Sequence, residues 1–258
     1  MAIKIAIANQ KGGTAKTTTT INLGASLAGL GERVLVVDLD PQANLSAGLG
    51  VKLKGNEPGA YELMMEKATA DELIRETDIQ GLYLIPTSIM LAAAEAEMAG
   101  DIGQDRLLKW ALKDQLEKFD YIIIDTPPNL GVLSINALAA ADEVIIPLKP
   151  QAFDIAGVGK LLEIISKVKR RLNPDLNDWT LLFTVIDYRR NEDKRMIKEV
   201  REYYHGKVFK SEIRVNSKLI EATRAGIAAR KYDAGSTGAL EYDALARELQ
   251  HRIKSEAV

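Results

Sequence analysis

Short apolar runs rich in β-branched residues recur along the chain, separated by longer stretches with helical spacing. The runs are KIAIAN (4–9), RVLVVD (33–38), LYLIP (82–86), YIIID (121–125), EVIIPL (143–148) and TLLFTVI (180–186). They are continuously apolar instead of alternating, the mark of strands buried on both faces of a parallel sheet. Between them the pattern predicts helices over 18–30, 105–119, 130–140, 155–172, 191–204 and 238–254. The last of these is expected to carry Leu240, Leu245, Leu249 and Ile253 on one side. Parallel strands need crossover connections, so this alternation predicts an α/β fold with a doubly wound, mostly parallel central sheet flanked by helices. No repeat, low-complexity tract or linker breaks the pattern. GNEPG (55–59) therefore reads as a loop inside one domain spanning 1–258.

Composition narrows the function more than the fold. At 258 residues and 47% hydrophobic, the chain can bury a sizeable core. It has no cysteine, which excludes a disulfide framework, thiol catalysis and cysteine-ligated clusters. His205 and His251 are its only histidines, too few for a histidine metal site or triad. No apolar run reaches the roughly 18 residues of a spanning helix, and no signal-peptide pattern is present, so a cytoplasmic protein is expected. Net charge is −2, yet Arg189 to Lys231 holds 13 Lys+Arg against 6 Asp+Glu. That basic region is either a polyanion-binding surface or a solvated helical face.

Three motifs end predicted strands, and in open α/β sheets ligands bind beyond those ends. The first, NQKGGTAKTTTT (9–20), departs from the usual phosphate loop G-x-x-x-x-G-K-[ST] at two places. Lys16 and Thr17 occupy the lysine and hydroxyl positions, but Lys11 stands at the first glycine and Ala15 at the last. Gly12 and Gly13 let backbone N–H groups turn toward phosphate, and a helix starting near Lys16 adds its positive dipole end. Lys16 would reach the β/γ-phosphates and Thr17 would ligate magnesium. The second motif, DLDPQ (38–42), offers Asp40 to orient an attacking water and Asp38 as a structural or supporting carboxylate. The third, DTPP (125–128), puts Asp125 in the Walker-B role on magnesium, directly or through water. Lys11 cannot easily fold back onto its own γ-phosphate but could reach one presented by another subunit, as arginine fingers do.

KGGTAKTT, DLDPQ, YIIIDTPP and INALAAADEVIIPL together resemble the ParA/Soj family of deviant Walker A (P-loop) partition ATPases. The resemblance runs from Ala2 to the terminal helix and is tightest over residues 1–150. It implies a nucleotide site formed by Lys11, Gly12, Gly13, Thr14, Ala15, Lys16, Thr17 and Thr18, binding ATP or ADP with Mg2+. It also implies that Lys11 crosses a face-to-face homodimer, that Lys16 binds phosphate, and that Asp40 serves hydrolysis. Thr17 and Asp125 would serve the metal. Nonspecific DNA would be bound in the ATP state through Arg189 and Lys218, with Arg190, Lys194 and Arg224 as neighbours, in a cytoplasmic, nucleoid-associated protein. A ParB-like or adaptor protein would stimulate hydrolysis.

Two departures from the family pattern stand out. The family usually has glycine at position 15, and an alanine forced to positive φ would cost about 1–2 kcal/mol. Its methyl could also crowd the phosphates. Where family members often read I-P-R-N-V-R-L-S-E-A, this chain reads IRVNSKLIEA (213–222), with Arg214 in place of the proline. Ala15 motivates an alternative, a nucleotide-binding regulatory switch that hydrolyses slowly or not at all. A MinD-like membrane-positioning ATPase would need an amphipathic basic terminal helix. LARELQHRIKSEAV (245–258) has mixed charge and no bulky aromatic stripe, so no membrane partner is expected.

Overall fold

The computed structural model describes residues 1–55, 57–98, 100–152 and 155–256. The chain begins β1 (Ile3–Ile7), α1 (Lys16–Gly29), β2 (Val34–Asp38), α2 (Asn44–Gly48), α3 (Ala60–Met64) and α4 (Ala70–Leu73). It continues β3 (Arg75–Glu76), β4 (Leu82–Ile85), α5 (Leu91–Glu97), α6 (Leu107–Ala111), β5 (Tyr121–Asp125) and α7 (Val132–Ala140). The remainder is β6 (Glu143–Leu148), α8 (Ile155–Arg171), β7 (Asp178–Phe183), α9 (Asn191–Tyr203), α10 (Ser217–Arg224), α11 (Ala229–Tyr232) and α12 (Thr237–Glu256).

The strands form one sheet in the order β3-β4-β2-β5-β1-β6-β7. Every pairing is parallel except β3 with β4. The continuous apolar runs now have their cause. Ile5 and Ile7 of β1 face one core and Ala6 the other; Val34 and Val36 of β2 oppose Leu35 and Val37 in the same way. Helices cover both sides: α1, α10, α11 and α12 pack on one face, and α3, α5, α7, α8 and α9 on the other. Both neighbours of each central strand residue are therefore apolar, and no position is left to alternate.

The six predicted strands all form; β5 and β6 keep their expected ends and the other four are shifted. β1 stops at Ile7 because Asn9 turns the chain, its Oδ1 accepting the Lys11 N–H at 2.9 Å. β7 stops at Phe183, beyond which the chain turns through left-handed Val185 while the Thr184 hydroxyl bonds to the Thr14 and Leu148 carbonyls. Three expectations are corrected. A two-residue antiparallel edge strand, β3, was not anticipated. The helix expected over 105–119 is broken into two short tight turns around α6. There the Asn136 side chain from α7 takes the Leu108 N–H and the Gln104 carbonyl, at 3.1 and 2.7 Å, in competition with a continuous helix. In α12, Leu240 is 55% exposed and does not share a side with Leu245, Leu249 and Ile253. The buried row runs instead through Ala239 and Tyr242, which lies one turn before Leu245 and Ala246. GNEPG is a loop as expected, except that Asn56 lies outside the described residues, as do Ala257 and Val258.

Candidate functional site

Sheet topology selects the place. From β1 the chain runs to one side for β2, β4 and β3, returns through β5, and then crosses to β6 and β7. The reversal lies at β1, and β1, β2 and β5 end level with one another, Ile7 and Asp38 both pairing with Asp125. The phosphate loop leaves β1 at this crevice, where an open α/β sheet binds its ligand.

The loop is held from outside. Asn9 Nδ2 donates to the Pro147 carbonyl at 2.7 Å, the Thr14 hydroxyl reaches the Lys11 carbonyl at 3.3 Å, and Thr184 ties the Thr14 carbonyl at 3.0 Å. Gly13 has φ +72°, a conformation that only glycine takes freely, and the space beside Gly12 and Gly13 is open. Ala15 adopts φ 60° and ψ 33°, the left-handed region, so the cost anticipated for alanine is present. It also lines the apolar cavity described below. Helix α1 begins at Lys16 with no side chain capping its first N–H groups and no acidic residue in its first turn. An uncapped helix start of this kind receives an anion.

Lys16 is buried at 8% exposure. Burial lowers its pKa, while the nearby charges of Asp125 and Asp40 oppose that shift. Asp125 is fully buried; its Oδ2 accepts from the Thr17 hydroxyl at 2.7 Å and its Oδ1 from Thr20 at 3.3 Å. Burial, reinforced by the charge of Asp38, pushes Asp125 up to about 8. Asp38 accepts from the Ser46 N–H at 2.9 Å, the Ser46 hydroxyl at 2.6 Å and the Asp40 N–H at 3.1 Å. Those bonds pull against the burial that raises it to about 6. Asp38 thus fixes the loop that carries Asp40, whose Oδ1 holds the Gln42 N–H at 3.0 Å.

Three buried carboxyl groups face one buried lysine, so burial and their mutual repulsion hold Asp125 and Asp38 toward their protonated forms. Among the described residues, no group of three or more His, Asp or Glu could hold a metal alone. The donor set fits magnesium that is carried with phosphates and held by one carboxylate and a hydroxyl, rather than in an all-protein cage.

Beside the loop lies a mainly apolar cavity of about 290 Å³, lined in part by Ala15, Thr18, Val185, Ile213, Leu219 and Tyr242. Val185 is also left-handed, at φ 54°, which is costly for a β-branched residue. The Tyr242 hydroxyl lies 3.1 Å from that of Thr19, joining α12 to α1 beneath the loop. Sequence reasoning missed this cavity because, although Ala15 and Thr18 belong to the phosphate loop, its other walls come from Val185, residues 213–224 and Tyr242, far along the chain.

The predicted nucleic-acid residues fall into two groups that no hydrogen bond or ion pair joins among the described residues. Arg189, Arg190 and Lys194 are exposed around the start of α9, and Arg189 forms two bonds of 2.8 Å to Asp187. Lys218 and Arg224 lie on α10, with Lys218 paired to Glu221 at 2.7 Å. Arg214 uses the N–H that a proline would lack: it donates to Glu241 Oε2 at 2.9 Å, and its guanidinium pairs with the same carboxylate.

Residues 2–178 match a family described as an AAA domain. The sporulation initiation inhibitor protein Soj of Bacillus subtilis is 43% identical over 95% of this chain and 97% of its own length. The chain belongs to the ParA/Soj family of P-loop ATPases. The chromosome partitioning protein ParA of Myxococcus xanthus is 41% identical, over 96% of this chain and 88% of its own. Among solved structures, cobyrinic acid a,c-diamide synthase from Mycobacterium smegmatis with bound ADP and magnesium superposes with a TM-score of 0.87. It is 35% identical, and the match covers 99% of this chain and 97% of that one.

Proposed function

We propose that the chain works as a single P-loop domain over 1–258, a partition or positioning ATPase that alternates between ATP-bound and ADP-bound states. The observation that carries the reading is the convergence at the strand ends of an uncapped α1, buried Lys16, the Thr17–Asp125 pair and Asp40. The backbone from Gly12 to Thr18 would cradle the phosphates, and Lys16 would hold the β/γ oxygens. The 290 Å³ cavity offers apolar walls for the base. Thr17 and Asp125 would hold magnesium, which supplies neutralising charge to the phosphates. Asp40, fixed by Asp38, would orient the attacking water. Lys11 would contribute its charge to the nucleotide of a second copy across a homodimer.

In this reading the ATP dimer binds DNA nonspecifically through Arg189, Arg190, Lys194, Lys218 and Arg224, and hydrolysis, stimulated by a ParB-like or adaptor protein, releases it. The protein would then be cytoplasmic and nucleoid-associated. No described helix is long and apolar enough to cross a membrane, and the apolar side of α12 is spent on the core instead of a lipid surface. One titration tests the reading: dimer formation and DNA binding with ATP, ADP or no nucleotide, at two salt concentrations. Salt-sensitive DNA binding by dimers only in ATP supports it. A protein that binds ATP yet stays monomeric and off DNA sinks it.

The left-handed Ala15 favours a second reading, a nucleotide switch with little turnover. Steady-state hydrolysis with DNA separates the two. A large rise in Ala15→Gly over the parent supports the switch, and equal rates refute it.

A further inference from the structure

On the sheet face away from α1, the turns after α3, the short α4, and α6 enclose a groove of about 430 Å³. None of residues 9–18, Asp40 or Asp125 lines it. Its chemistry is one-sided. Glu66, Glu72 and Asp114 line it, and neither Glu66 nor Asp114 has an ion-pair partner among the described residues. The groove's one lysine, Lys67, is turned to the Tyr61 hydroxyl at 3.0 Å and to its ring. Asp71, also on the wall, is already neutralised by Lys118 at 2.5 Å.

A second observation points to a ligand. Gln115 is only 1% exposed and lines the groove, yet its Oε1 accepts no hydrogen bond. A buried carbonyl oxygen without a hydrogen bond is destabilising, so such a group calls for a donor. Beside it Trp110 is 52% exposed and, with Leu107, forms an apolar wall. A half-exposed tryptophan in a concave site is the kind of group that anchors protein partners.

We propose that this groove docks an arginine side chain presented by a basic segment of a partner protein. A guanidinium carries five donors and no acceptor, which matches the acceptors Gln115 Oε1 and the Glu66 and Asp114 carboxylates. Its planar face suits Trp110, and its methylene stem suits Leu107. Lysine, a compact ammonium, would satisfy the charge but neither the plane nor the fork. The groove is independent of the nucleotide site, so the inference stands or falls apart from the ATPase reading.

The test follows Trp110 fluorescence in a Trp179→Phe background, titrated with a short acetylated Leu-Arg-Leu-Arg peptide and its Leu-Lys-Leu-Lys counterpart. The proposal expects saturable binding of the arginine peptide, at least tenfold tighter than the lysine peptide. Gln115→Leu and, separately, the exposed Asp114→Asn should each weaken it several-fold while nucleotide binding is unchanged. Asp114→Asn keeps the test open should Gln115→Leu fail to fold. Equal binding of the two peptides, or binding unaffected by Asp114→Asn and Gln115→Leu, overturns the proposal. So does self-association of the parent that the arginine peptide displaces, since the occupant would then be a second copy of this chain.

Discussion

Replacing Ala15 with glycine tests whether the phosphate loop stores backbone strain. Ala15 sits at φ 60° and ψ 33°, where a Cβ costs about 1–2 kcal/mol. Glycine removes that cost but adds about 0.4–1 kcal/mol of unfolded-state entropy. It also deletes a half-buried methyl, worth up to about half of the ~0.8 kcal/mol of a fully buried carbon. The net lies between about −0.4 and +1.6 kcal/mol of stabilisation. At about 2–4 °C per kcal/mol for a chain of this size, Tm should change by between about −2 and +6 °C. The control is Ala244→Gly, the same chemical change at an exposed position inside α12, where φ is not positive. That change should cost about 1 kcal/mol and lower Tm by about 2–4 °C. Thermal melts of both variants, in nucleotide-free buffer, give the answer by their difference. If Ala15→Gly drops as far as Ala244→Gly, the loop is not left-handed at Ala15, and the strain argument fails together with the switch reading built on it.

Five further variants have expected outcomes. Tyr242→Phe should destabilise by about 1–2 kcal/mol in denaturant unfolding, because the Thr19 hydroxyl is left buried without its partner; a loss under about 0.5 kcal/mol would mean that the bond between α1 and α12 is not formed. Arg214→Pro, which restores the family's residue, should cost about 1.5–3 kcal/mol by removing both the N–H and the guanidinium from Glu241, and an unchanged midpoint in the same assay would refute that role. Lys11→Ala should reduce ATP-dependent dimer yield more than nucleotide affinity, and Asp40→Ala should retain ATP dimers while suppressing hydrolysis; monomeric Asp40→Ala with ATP counts against its assignment. Asp187 is held down at about 2 by Arg189, so any stability it lends is present above the ordinary carboxylate range and lost as pH falls through about 2. In Arg189→Ala its NMR titration midpoint should move up toward that range, and an unmoved midpoint would show that the pair does not persist in solution.

What the sequence discloses and what it hides divide along a physical line. The strands are legible because each is buried on both faces, so local composition alone reports a global fact. The phosphate loop, Asp40 and Asp125 are legible because they lie next to strand ends, and strand ends converge once the sheet is parallel. β3 is hidden because two residues, Arg75 and Glu76, carry no periodicity. Leu240 misleads because a five-residue step to Leu245 rotates by more than a third of a turn, which leaves it in solvent while Tyr242 takes the core. The cavity beside the loop and the groove around Gln115 are hidden for a deeper reason. Each is a meeting of segments far apart in the chain, and the decisive group in the groove is defined by the bond it lacks. Arg214 shows the same limit from the other side. Its arrival in place of proline reads in the sequence as the loss of a family residue. In the fold it creates a donor, and Glu241 on α12, with a side chain only 12% exposed, depends on it. A departure from a motif is therefore not a weakening until the groups around it have been counted, and at this position the count comes out in favour of the arginine.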